Sequence, residues 1–138
     1  MASRPIAVHG SYFHENYGDI ILVSRYCDWA RKYAPGSRVA LPLASARTTG
    51  LVGGDAHGLA ALRDSRALIF TGGCYFGEPP AGELLWRYQA FYPHGFPARI
   101  ARKNGVPHSF IGVGAGPITH LAILTIFGTI CVGAHVLE

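Results

Sequence analysis

Three apolar segments of this chain run straight into glycine-rich stretches, and that recurrence restricts the fold more than any other feature. Ile6-Ala7-Val8-His9 enters Gly10-Ser11-Tyr12-Phe13-His14-Glu15-Asn16-Tyr17-Gly18-Asp19, and a helical pattern begins near Ile20. Ala67-Leu68-Ile69-Phe70 enters Thr71-Gly72-Gly73-Cys74-Tyr75-Phe76-Gly77-Glu78, and Ser109-Phe110-Ile111-Gly112-Val113 enters Gly114-Ala115-Gly116-Pro117. Where a strand hands over to a helix, the first N–H groups of the helix are unpaired and its dipole favours an anion. Ligands of open α/β sheets collect at this carboxyl edge. Right-handed crossovers between parallel strands place all three junctions on one edge.

The pattern along the chain predicts strand 5–9, loop 10–18, helix 19–33, strand 38–42, an irregular stretch to about 54, and a short helix 56–64. Strand 66–71, helices 81–92 and 96–104, and strand 107–113 follow. In the first helix Ile20, Val23, Tyr26, Cys27 and Ala30 share one face, Asp19 serves as N-cap or first-turn carboxylate, and Pro35-Gly36 stops it. Strands alternating with helices predict an α/β fold with an open, mostly parallel sheet and helices on both faces.

At 138 residues the length suits one domain. Charged residues are only 14 %, against roughly 25 % in an ordinary soluble domain, which implies a well-buried sheet or a partner surface. The net charge of +4 is scattered through 25–47 and 99–103 without a basic stripe, so nucleic acid is not an expected partner. Cys27, Cys74 and Cys131 are odd in number and far apart, which argues against a disulfide framework or zinc site and for a reducing compartment. No His, Cys, Asp or Glu spacing predicts a metal site, and the start of the chain has no apolar signal core, so the expected location is cytoplasmic. A Gly-x-Ser-x-Gly elbow, a P-loop and a Gly-x-Gly-x-x-Gly dinucleotide fingerprint are all absent.

Residues 118–138 are almost uncharged and predict an apolar C-terminal helix, set apart from the α/β unit of 1–117. Its length reaches that of a membrane span, about 20 residues. Two histidines, three threonines and two glycines between 118 and 137 favour instead a helix buried against a further domain or a second copy of the chain, with membrane association as the alternative.

Asn16-Tyr17-Gly18-Asp19, Ile69-Phe70-Thr71-Gly72-Gly73 and Gly112-Val113-Gly114-Ala115-Gly116-Pro117, in that order over 4–117, resemble the polysaccharide pyruvyl transferase family. The resemblance implies a Rossmann-like N-terminal half of a two-domain, B-type glycosyltransferase fold, the uncharged tail departing from the family pattern. It also implies transfer of a pyruvyl group from phosphoenolpyruvate to a sugar, in exopolysaccharide biosynthesis. Phosphoenolpyruvate is then the donor substrate, no cofactor is needed, and a sugar or lipid-linked oligosaccharide is the acceptor. Such chemistry requires a general acid, a general base and groups that hold carboxylate and phosphate.

On that reading Asp19 is a base or hydroxyl-orienting carboxylate, or simply a helix cap. His14 exchanges protons from the same loop, or is an exposed loop residue. Asn16 and Gly18 bind the sugar or shape the turn. Gly72, Gly73, Gly77, Gly114 and Gly116 let the backbone approach a ligand, or only form turns. Glu78 is an acceptor-site carboxylate or a solvated loop residue, and Pro117 opens the last helix. Tyr12, Phe13 and Tyr17 stack on a sugar ring or, more simply, pack the loop onto the sheet. His9 and His108 read as structural. The competing functions are a nucleotide-sugar glycosyltransferase half-domain and a non-catalytic remnant acting as a binding or membrane-associated module.

Overall fold

The computed structural model describes residues 4–14, 16–77 and 91–134. Five parallel strands form one sheet in the order β3-β2-β1-β4-β5: β1 Ile6–His9, β2 Val39–Leu41, β3 Ala56–His57, β4 Ala67–Phe76 and β5 His108–Ala115. The fold is an open, Rossmann-like α/β sheet, as the alternation of apolar runs and helical periods predicts. The order reverses at β1, which pairs with β2 on one side and β4 on the other. That reversal is the topological switch point where ligands of such sheets gather.

Both faces are covered, so β1 is apolar almost throughout and buried along its whole length. Successive side chains alternate between the faces. Ile6 and Val8 meet Val23, Tyr26, Cys27 and Ala30 of α1 (Tyr17–Tyr33). Ala7, Leu68 and Phe70 join the opposite cluster with Leu62 of α3 (Gly58–Arg63), Ala98, Ile100 and Ala101 of α4 (Phe96–Lys103), and α5 (Leu121–Cys131). A short helix, α2 (Ala46–Leu51), occupies the stretch expected to be irregular, and the Ser45 hydroxyl accepts the Thr48 N–H at its start. The expected helix 81–92 falls largely outside the described residues, of which Phe91–Gly95 form a single π-type turn before α4.

Of the two roles expected of Asp19 the structure shows the first-turn carboxylate, while Asn16 caps α1, its Oδ1 accepting the Gly18 N–H at 3.0 Å. Two expectations are corrected. The glycines after Phe70 and Val113 do not begin loops. Strand β4 continues through Gly72 and Gly73 to Phe76, and β5 through Gly112 and Gly114 to Ala115, because the two strands keep pairing with each other beyond the end of β1. Finally, the apolar tail is not one helix over 118–138. His120 caps α5 through its Nδ1, so Pro117 lies four residues before the helix rather than at its first position. The helix stops at Cys131, Gly133 takes a φ of 76°, and Ala134 pairs in parallel with His108.

Helix α5 therefore folds back on the chain's own sheet, burying Ile123, Phe127 and Ile130, with the Phe127 ring 4.8 Å from that of Phe76. Leu121 and Leu124 remain exposed. No helix among the described residues is long and apolar enough to cross a membrane.

Cys27 is buried beneath α1, where loss of solvent raises its thiol pKa to about 12 despite the nearby Arg31. Cys131 is exposed. Because thiolate is the reactive form, dithionitrobenzoate should label Cys131 in the native protein while Cys27 reacts only on unfolding. Equal native rates at Cys27 and Cys131 in a peptide map would contradict this placement.

Candidate functional site

The loop after β1 leaves the sheet through a gap that only glycine fits. A Cβ on Gly10 would stand 2.5 Å from Val23 Cγ2 and 2.8 Å from Thr71 Oγ1, so α1 and β4 close directly over this residue. One turn of 3-10 helix, Tyr12–His14, then carries the chain to Asn16 and α1. Tyr12 is buried, whereas Phe13 and Tyr17 reach solvent, so the aromatic residues of the loop divide between packing and display.

Beneath that turn lies a buried chain of polar groups. His9, at the carboxyl end of β1, contacts the Tyr12 hydroxyl through Nδ1 at 3.2 Å and His94 Nδ1 through Nε2 at 3.1 Å. The Tyr12 hydroxyl donates to the Pro42 carbonyl. With that donation, the neutral tautomers that satisfy these contacts have His9 Nδ1–H donating to Tyr12 Oη and His94 Nδ1–H donating to His9 Nε2. Both imidazoles are neutral in this arrangement. Burial holds His9 well below the ordinary His value, with the His94 ring adding to the depression and the Pro42 and Pro93 carbonyls opposing it. Burial likewise lowers His94 to about 4. Phe70 meets the His9 ring edge-on at 5.2 Å, and Phe13 covers it at 5.8 Å.

This chain ties the loops after β1 and β2 to the 91–95 turn, which fixes the switch point mechanically. The sequence offers no local sign of it: His9 and His94 are 85 residues apart, and His94 stands among the Pro93-His94-Gly95 residues that read as a helix break. His9 is structural, as expected. His108 is too: it is buried, and its Nε2 lies 3.3 Å from the Ile130 carbonyl.

The predicted site residues fall into two groups. Asn16, Gly18 and Asp19 occupy the start of α1, Asn16 and Gly18 exposed and Asp19 half-buried. The glycines of β4 and β5 form a ribbon that passes β1: Phe70 is level with His9, and Phe76 lies six residues further on, roughly 20 Å at strand rise. Gly77 and Gly116 meet at its tip, where a Cβ on Gly77 would be 3.7 Å from Gly116 Cα.

Near its base the ribbon touches α1, since a Cβ on Gly72 would sit 3.1 Å from Leu22 and one on Gly112 2.8 Å from the Tyr26 hydroxyl. Close packing against the helix thus accounts for those two glycines. Gly73 takes a φ of 113° at an irregularity in β4, and Gly114 lies within β5. Leu22 packs on Gly72, and Asn16 lies six residues earlier, about 9 Å along the axis of α1. The three glycine segments do share the carboxyl edge, with the β4–β5 ribbon extending beyond the end of β1. Glu78 lies outside the described residues, and so does the side chain of His14.

A recess of about 180 Å³ opens between the loops after β1 and β2, lined by Tyr12, Phe13, Leu43, Ala44, Ser45 and Thr48. It is smaller than the 300–1,000 Å³ or so of typical ligand pockets and suits a single small group. Leu43 holds a left-handed backbone there, with φ of 62°. Among the described residues no group of three or more His, Cys, Asp or Glu side chains could hold a metal ion. No protein-family model matches the chain, and no curated protein or solved structure is significantly similar to it.

Proposed function

We propose that this chain acts as the acceptor-side, N-terminal half of an enzyme like the polysaccharide pyruvyl transferases, which moves a pyruvyl group from phosphoenolpyruvate to a sugar of a cell-surface or extracellular polysaccharide. The observation that carries the reading is the carboxyl edge of the parallel sheet, which holds both the Asn16–Asp19 start of α1 and the β4–β5 ribbon, whose two glycine motifs complete the family pattern in the expected order.

In the reaction one sugar hydroxyl adds to the enol-ether carbon of the donor while the methylene carbon takes a proton. A second hydroxyl then displaces phosphate to close the ketal. Asp19 receives a hydroxyl proton, Asn16 and Gly18 orient the sugar, and the exposed Phe13 ring offers it an apolar face. The recognised partner is a sugar or lipid-linked oligosaccharide, and the place of action is the cytoplasm.

Saturation-transfer NMR of the whole chain with pyranosides tests the assignment. Binding should be lost in Asp19→Ala and weakened in Asn16→Ser, which keeps the cap but removes the amide. Absence of saccharide binding, or binding indifferent to both substitutions, overturns the reading. Displacement of the saccharide by a nucleoside diphosphate, sensitive to Asp19→Ala, would favour a nucleotide-sugar glycosyltransferase half-domain instead.

A further inference from the structure

On the face of the sheet covered by α3 and α4 lies a larger opening. Helices α3 and α4 border a cleft of about 600 Å³ lined by Arg63, Phe96, Arg99, Ile100, Lys103 and Asn104. Its volume is within the range of small-molecule sites. Among its described lining residues three are cations and none is an acid. Arg99 and Lys103 are one turn apart on α4 and so share a face, opposite Arg63 at the end of α3.

Four arginines elsewhere in the described residues are engaged. Arg4 donates to the carbonyls of Asp64 and Ser65, Arg31 pairs with Asp55, Arg66 donates to Ser37, and Arg102 donates to Thr129. Among the described residues Arg63, Arg99 and Lys103 have no ion-pair or hydrogen-bond partner. Helix dipoles favour cations in a last turn, which accounts for Arg63 and Lys103 singly. They do not account for Arg99, nor for convergence of all three on one cavity. One end of the cleft is aromatic: Tyr92 stacks on Phe96 at 5.9 Å with the rings 9° from parallel.

We propose that this cleft binds a small organic diphosphate with a ring attached. A single phosphate carries about −1.5 to −2 at neutral pH, short of three cations, whereas two phosphates match them. The guanidinium forks of Arg63 and Arg99 take phosphate oxygens in pairs, Lys103 supplies a point charge, and Phe96 with Tyr92 behind it receives the ring. Nucleic acid fits less well, because the remaining arginines named above are paired elsewhere and extend no basic track. The inference is independent of the sugar site at the rim.

Calorimetric titration of the whole chain with ADP, AMP and adenosine tests it, beside sedimentation with phosphatidylcholine vesicles doped with a diphosphate-headed lipid. ADP should bind about tenfold or more tightly than AMP, with adenosine weaker still. Arg99→Glu should weaken ADP about tenfold or more, Tyr92→Ala should weaken it less, and Asp19→Ala should leave it unchanged. The affinity should fall as salt rises. Binding of ADP assigns a soluble ligand. Capture by doped but not plain vesicles, without ADP binding and lost in Arg99→Glu, assigns the diphosphate of a lipid. Indifference of both arms to Arg99→Glu, in a variant whose melting temperature is unchanged, overturns the proposal, as does failure of both probes.

Discussion

Between neutral pH and about pH 4 the folded state is expected to lose about 3 kcal/mol of stability through His94 alone. Its imidazole titrates at about 4 in the fold, against an ordinary value of 6.5, and each pH unit of such a difference is worth about 1.4 kcal/mol. The direction follows from proton uptake. Below 6.5 the unfolded chain gains a proton that the buried ring refuses, so stability is complete above that value and declines as the pH approaches 4. His9 is depressed as well and acts in the same direction. Urea unfolding at a series of pH values measures the slope. His94→Asn places an amide N–H near the position of Nδ1, preserves donation to His9 and removes one titration. The variant should lose about 3 kcal/mol of the acid dependence. An unaltered slope would mean that His94 is not held neutral in the folded protein.

Replacing Phe70 by Ala is expected to cost about 3–5 kcal/mol. The side chain is fully buried, stacks on Phe110 at 4.6 Å, and meets His9 and His108 edge-on. Removing it opens a cavity at the centre of the sheet and takes away the wall that holds the His9 ring. At about 3 °C per kcal/mol the melting temperature should fall by about 10–15 °C. Phe70→Leu retains most of the volume and should cost less than half as much. A shift of only a degree or two in Phe70→Ala would show that the ring is not a core element.

The parallel sheet was legible because β1, β4 and β5 are apolar runs too short for helices, and α1 shows a clear stripe from Ile20 to Ala30. Helix α2 was not, since Ala46-Arg47-Thr48-Thr49-Gly50-Leu51 has no apolar period and only Ser45 signals its start. Gly72, Gly73 and Gly114 read as loop residues because glycine disfavours strands. What overrides that preference is the pairing of β4 with β5 and the close approach of α1, neither of which is encoded locally. The α1 part of the rim was readable from Asn16-x-Gly-Asp. The α3–α4 cleft was not, because Arg63 and Arg99 are brought together only by the packing of two separated helices.

Leu43 gives the turn after β2 a built-in tendency to let go. Its backbone sits where a side chain is disfavoured, by about 1–3 kcal/mol, and the next residue toward the N-terminus, Pro42, supplies the carbonyl that anchors Tyr12. Relaxation of Leu43 would recover that energy and unhook Tyr12 in the same motion, leaving the two imidazoles without their terminal acceptor. The first fluctuation to breach this interior should therefore start at 42–44, well before the surrounding strands separate.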